Sequence, residues 1–217
     1  MPMINLYFPV LGESLPTDHG YALYGSLSRV LPALHAVESP VLIGPVLGDY
    51  TGNGTLRLND RRSFLRLRLP AEQIAIVLPL AGKSLEIDGH RLRLGVPRVM
   101  PIIPAPALIA RLVTMKKSHR QDHARTRDYM EPDPFLDAVR RELLKQGIHG
   151  EPAIPLVARG PHQGKPRRHI LHIRDRQVVG FTLQVTALTA EESVRLQEQG
   201  LGGRKRMGCG FFVPMRE

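Results

Sequence analysis

Four prolines, at positions 97, 101, 104 and 106, crowd the stretch "VPRVMPIIPAPALIA" near the middle of the chain. Proline has a fixed φ and no N–H, so neither a helix interior nor a central strand runs through such a stretch. It reads as a linker over residues 99–107 and divides the 217 residues into halves of similar size, 1–98 and 108–217. In the first half "INLYFPV" is strand-like. Thr17 or Asp18 can cap a helix whose apolar positions are Leu23, Tyr24, Leu27, Val30, Leu31 and Leu34. Pro32 ends or kinks it. "TLRLND" and "SFLRLRLP" alternate with the period of a strand. "AEQIAIVLPLAG" reads as a short second helix, and "KSLEIDGHRLRLG" carries a hairpin signal at its Asp-Gly pair.

The second half repeats the order. "ALIARLVTMKK" reads as a strand. A helix follows with Asp133 as N-cap, Pro134 at the first helical position and Gly147 past its end. "RRHILHIRD" and "VVGFTLQVTAL" are strands, and "TAEESVRLQEQG" carries a capping box in Thr189 and Glu192. "GFFVPM" closes the half as a strand. Each half is therefore approximately β-α-β-β-α-β. The expected fold is α+β: two tandem ferredoxin-like (RRM-like) domains. No clear sequence repeat accompanies the structural one.

The formal net charge of +10 and pI of about 10.3 favour an anionic partner, most commonly nucleic acid. The cations cluster at Arg57–Arg68, at Arg111–Arg127 and at Arg159–Arg176. With no tryptophan, five tyrosines and six phenylalanines, the chain is thin in the aromatics that stack on single-stranded bases. The aromatic signature of RNA-recognition modules is not intact either. Backbone and shape recognition, as of a structured RNA hairpin, fits better. The single cysteine, Cys209, forbids an intramolecular disulfide and fits a reducing compartment. "MPMINLYFPV" has no signal-peptide pattern, and the apolar stretch at 99–110 is too broken by proline to cross a bilayer. A cytoplasmic protein with no membrane partner is expected.

Near the end stands "GLGGRKRMGCG", residues 200–210. Glycine lets backbone N–H groups approach a ligand, and interleaved cations suit phosphate. The other reading is a solvated turn with a charged tip. The loop follows a helix and precedes a strand, which is the reverse of a dinucleotide fingerprint, and no P-loop string is present.

The loop, its place after the last helix and the run Gly208-Cys209-Gly210-Phe211-Phe212 resemble the CRISPR repeat-processing endoribonucleases of the RAMP superfamily. "DHGYALYGSLSRVLPALH" is similar to that family's first helix, where catalytic residues of many members cluster. "SHRQDHARTRDYMEP" departs from the pattern as an extra basic loop. The resemblance implies metal-free cleavage of the repeat hairpin of a CRISPR precursor transcript. The ribose 2′-OH attacks the adjacent phosphate, leaving a 2′,3′-cyclic phosphate and a 5′-OH. It also implies that the cleaved repeat is retained, the crRNA then joining other subunits of a guided complex. The alternative is a non-catalytic RNA-binding scaffold subunit of such a complex.

The reaction needs a base, an acid and cationic stabilisation of the phosphorane. Histidine serves either proton role near neutrality. His19 at the start of the first helix and His35 after its last turn are the candidates. The family's catalytic histidine moves between members, so the choice stays open. Tyr21 faces away from the apolar stripe and could orient the scissile phosphate. Lys116 could neutralise it. Expected RNA contacts are Gly200, Gly202, Gly203, Arg204, Lys205, Arg206, Gly208 and Gly210 of the loop, with Lys117, Arg120, Arg167 and Arg168. His119 and His123, at i, i+4 spacing, come with no third ligand, and His169 and His172 would point to opposite faces of a strand; no metal and no cofactor is expected.

Overall fold

A computed structural model describes residues 2–36, 41–116, 127–128 and 130–215, with 35–36 and 127–128 by backbone alone. The expectations at Lys117, Arg120, His119 and His123 lie outside the described residues. The chain forms two compact units. One is Met1–Ile102 with Arg206–Gly208; the other is Ile103–Lys205 with Cys209–Glu217.

In the first unit the strand Met3–Leu11 pairs antiparallel with Phe64–Pro70 on one side. On its other side it pairs with His90–Leu94 and Arg98–Met100. Alternation puts Leu6, Phe8, Val10, Leu65, Leu67 and Leu69 on one face, and the helix Gly20–Val30 covers that face with Leu23 and Leu27. Leu42–Ile43 completes the far edge against Phe64–Pro70. The order is that of a ferredoxin-like sheet. "TLRLND" forms a strand, as expected, but outside this sheet. Thr55–Arg57 pairs instead with Ser14–Pro16 and Asp49–Gly52 in a separate three-stranded sheet. Its short alternation is equally satisfied by either sheet.

The first helix starts later than its capping signal. Thr17 spends its hydroxyl on the Gly54 carbonyl at 3.0 Å, and His19 occupies the N-cap position without a side-chain cap bond. Helix ends after Val30, and Ala33–Ala36 forms a separate short helix beyond Pro32. The second expected helix is only a succession of single turns, Ala71–Gln73, Ile74–Val77 and Leu78–Leu80. The Asp-Gly hairpin joins Ser84–Ile87 to His90–Leu94. The proline-rich stretch is not all connection, because Arg98–Met100 pairs with Asn5, Leu6 and Tyr7.

In the second unit Leu108–Val113 lies between Arg176–Thr186 and Val213–Pro214, all antiparallel. Arg168–Ile173 and Glu151–Ala153 pair with the far side of Arg176–Thr186. The helices Pro132–Lys145 and Ala190–Gln199 supply Phe135, Val139, Leu143 and Leu196 to a core with Leu108, Ala110, Phe181, Leu183 and Val185. The rings of Phe135 and Phe181 meet at 4.9 Å between centroids. The first of these helices begins at Pro132, not Pro134, with Glu131 extended before it. Either proline is tolerated in a first turn, where its missing N–H has no partner to lose. Its end is a Schellman arrangement: Gly147 N–H donates to Leu144 O at 2.9 Å and Ile148 N–H to Leu143 O at 2.9 Å. The capping box is formed, with Glu192 N–H on Thr189 Oγ1 at 3.2 Å and Thr189 N–H on Glu192 Oε2 at 2.9 Å.

Glu192 does more than cap its own helix. Its Oε1 also accepts the His149 N–H at 2.7 Å, beyond the end of the other helix. The backbone hydrogen bonds from Thr189 and His149 hold its carboxyl down at about 2, from an ordinary 4.5. A depressed carboxylate contributes stability above its unfolded value and loses it as pH falls through the folded one. The melting advantage of wild type over Glu192→Gln should therefore be constant above about pH 4.5 and shrink between there and about pH 2. Thermal melts of both proteins across that window test this; a constant gap would detach Glu192 from acid stability.

Candidate active site

His19 is 2% exposed, and both ring nitrogens are engaged inside the fold. Nδ1 lies 2.7 Å from the Pro16 carbonyl, which can only accept, so Nδ1 carries the proton. Nε2 then accepts the Val46 N–H at 3.1 Å. This neutral ring ties the loop before the helix and the chain at Val46 to the helix start. A proton-transfer residue needs a nitrogen facing substrate, and His19 as placed presents neither. Sequence spacing put it at the helix start correctly but could not reveal these partners.

His35 lies in the short helix Ala33–Ala36. Its neighbour Leu34 is buried in the first core, and the Leu34 carbonyl accepts a hydrogen bond from Arg206 Nη1 at 3.2 Å. Tyr21 is half-buried in the first turn of the Gly20–Val30 helix, while Tyr24 packs against the core. Tyr21 and His35 belong to the first unit; Lys116, exposed just beyond the strand Leu108–Val113, belongs to the second with Arg167 and Arg168, which are also exposed.

The glycine-rich loop is laced to its own protein. Gly203 N–H donates to Thr114 O at 3.0 Å, Gly210 N–H to Leu112 O at 2.8 Å and Gly200 N–H to Leu196 O at 2.9 Å. Those three amides are therefore spent on protein carbonyls and not offered to a phosphate. Gly202 has φ +76° and Gly210 has φ +65°, and a Cβ at either would overlap a backbone oxygen, that of Thr114 or of Leu201. Glycine is required at Gly202 by the close approach of the loop to Thr114, and at Gly210 by its approach to Leu201 within the loop. Two of the three cations are likewise turned inward. Lys205 Nζ donates to Gln199 O at 2.6 Å, closing the end of the capped helix. Burial pushes the Lys205 ammonium below the usual lysine range, and Glu142 pulls it partly back. Arg206 holds Leu34. At Gly200, Gly203 and Gly210 the backbone amide, and at Lys205 and Arg206 one side-chain donor each, are thus used within the protein.

Sequence reading missed the setting of His169. Thr182 Oγ1 donates to the Arg111 carbonyl at 2.8 Å, so it accepts from His169 Nε2 at 2.9 Å. Burial, and then the Arg111 and Arg167 guanidiniums, lower His169 to about 4. It is neutral near pH 7 and poorly matched to proton exchange there. His90 Nδ1 lies 2.9 Å from Ser14 Oγ, and His149 Nδ1 3.2 Å from Glu192 Oε1. Among the described residues no group of three His, Cys, Asp or Glu side chains converges as metal ligands do, and no helix is long and apolar enough to cross a membrane.

The family model described as "Cas6 Crispr" matches residues 4–217. The chain belongs to the Cas6 family. It is 40% identical over 214 residues to a CRISPR-associated endonuclease Cas6 of Myxococcus xanthus (strain DK1622), covering 99% of this chain and 82% of that one. Solved structures share the fold at low identity. A Cas6-related protein from Pyrococcus furiosus superposes with a TM-score of 0.67 at 16% identity, covering 99% of each chain. A RAMP protein binding different RNA substrates gives 0.69 at 13% identity, covering 98% of this chain and 100% of that one. The two tandem ferredoxin-like folds are thus those of Cas6 and RAMP proteins. Family membership agrees with the resemblance read from the basic composition and from the glycine-rich loop after the last helix.

Proposed function

We propose that this protein is a metal-independent endoribonuclease that cleaves the repeat hairpin of CRISPR precursor RNA in the cytoplasm. The 40% identity to a Cas6 endonuclease across almost the whole chain carries the reading. The ribose 2′-OH attacks the adjacent phosphorus, the 5′-oxygen leaves, and the products are a 2′,3′-cyclic phosphate and a 5′-OH. Proton transfer falls to His35, because His19 has both nitrogens engaged within the fold. Tyr21 orients the scissile phosphate and Lys116 offsets the charge that builds on the phosphorane. The ferredoxin-like domain at 1–98 carries the catalytic helix, and the domain at 108–217, beyond the linker at 99–107, carries the RNA contacts. Arg167 and Arg168, with Lys117 and Arg120, hold the backbone of the repeat and keep the crRNA after the cut, ready for other subunits of a guided complex. Such contacts position the RNA without reading its sequence.

The test is a repeat RNA incubated with protein in excess EDTA, beside the same RNA with a 2′-deoxy sugar upstream of the scissile phosphate. A single cut in EDTA, absent from the deoxy substrate, is expected. Cleavage that stops with chelation and persists on the deoxy RNA would overturn the cyclising chemistry. Tight binding with no cut of any substrate would favour the scaffold reading.

A further inference from the structure

Arg206 sits in the most basic run of the chain, and charge alone would assign it to RNA. Its guanidinium instead reaches back 172 residues to the Leu34 carbonyl, at 3.2 Å. Arg206–Gly208 belong to the first compact unit, although the residues on either side of them belong to the second. Leu34 is the residue before His35, in a helix of only four residues, Ala33–Ala36. So short a helix has no cooperative ladder to hold it, and its carbonyls need outside donors. Leu34 anchors it from below through the core, and Arg206 holds it by its backbone.

We infer that Arg206 is a positioning residue for the proton-transfer step: it fixes the backbone that carries His35, and so couples the glycine-rich loop to the chemistry. The inference rests on the reading of His35 given above. It differs from an RNA grip in what it predicts. A grip loses affinity and salt dependence; a positioning residue loses rate at constant affinity.

The experiment is single-turnover cleavage of a repeat RNA, with affinity measured on the 2′-deoxy RNA at several salt concentrations. Arg206→Ala should cut roughly 10–100-fold more slowly, the scale of a misplacement near an ångström. Its Kd and salt slope should match wild type. Arg206→Lys, which restores a donor, should recover much of the rate. Combined with His35→Ala, Arg206→Ala should add no further loss, because there is no longer an imidazole to position. Arg206→Met keeps the stem without the donor and replaces the alanine variant should that one melt early. Wild-type rate in Arg206→Ala or Arg206→Met beside an inactive His35→Ala would overturn the positioning role and leave His35 standing. A salt slope flattened by ~0.7–0.9 with unchanged rate would make Arg206 a phosphate contact instead. Wild-type cleavage by His35→Ala would fail the reading of the site itself, and this inference with it.

Discussion

His35→Ala is expected to slow single-turnover cleavage of a repeat RNA by ~10²–10⁴, the usual contribution of a general acid or base. Affinity for an uncleavable 2′-deoxy RNA should stay close to that of wild type. His19→Ala should behave differently. It removes the acceptor of the buried Val46 N–H and the donor to Pro16 O. Leaving one buried donor unpaired costs ~1–3 kcal/mol. In a chain of this size that lowers the melting temperature by roughly 2–4 °C per kcal/mol. Its rate, measured well below that melting point, should remain within the range of the folded enzyme. The contrast is the informative part: one histidine lost as chemistry, the other as structure. A His35→Ala protein that cuts as fast as wild type would remove His35 from the mechanism.

Gly210→Val is expected to be the most damaging single change in the glycine-rich loop. The backbone at Gly210 has φ +65°, and an added Cβ would overlap the Leu201 carbonyl oxygen. Forcing a branched side chain into that conformation costs of order 1–3 kcal/mol before the overlap is counted. Relieving the overlap must also disturb the hydrogen bonds from Gly210 N–H to Leu112 O and from Leu201 N–H to Gly210 O. Little folded protein should be recovered. Gly203→Ala supplies the control within the same loop. There an added Cβ comes no nearer than 3.9 Å, to Thr114 Oγ1. Denaturant melts should show Gly203→Ala near wild type and Gly210→Val far below it. Equal midpoints would mean that the loop is not seated as described.

How far the sequence could be read depended on the range of the forces involved. The capping box at Thr189 and Glu192 was legible because both partners lie three residues apart in one helix. The hairpin at Asp88-Gly89 was legible for the same reason. That Thr17, one of two cap candidates, gives its hydroxyl to Gly54 was not legible, because that partner lies far along the chain. "TLRLND" was legible as a strand, but its pairing with Ser14–Pro16 and Asp49–Gly52 was not, because alternation reports a strand and not its neighbour. At the site the limits are sharper. Nothing local to His19 announces that Val46 will donate to it. Nothing in the run Arg204-Lys205-Arg206 says that Lys205 will close a helix end and Arg206 will reach Leu34. His169 reads as an ordinary strand residue until Thr182 and two arginines surround it. The family was legible all the same, because the glycine spacing that seats the loop is itself a local pattern.

The way the two units divide the chain bears on how the protein can be cut apart. A gene fragment ending at Ile102 encodes nearly all of the first unit but not Arg206–Gly208, which reach it from near the opposite end of the chain. Such a fragment lacks the donor that holds Leu34. A complementary fragment beginning at Ile103 carries those three residues with no first unit to receive them. The proline-rich stretch is therefore a poor place to dissect this protein into halves that work separately. It is a better place to split it into halves that must find each other, with recovery of the Arg206 contact as the event that reports reassembly.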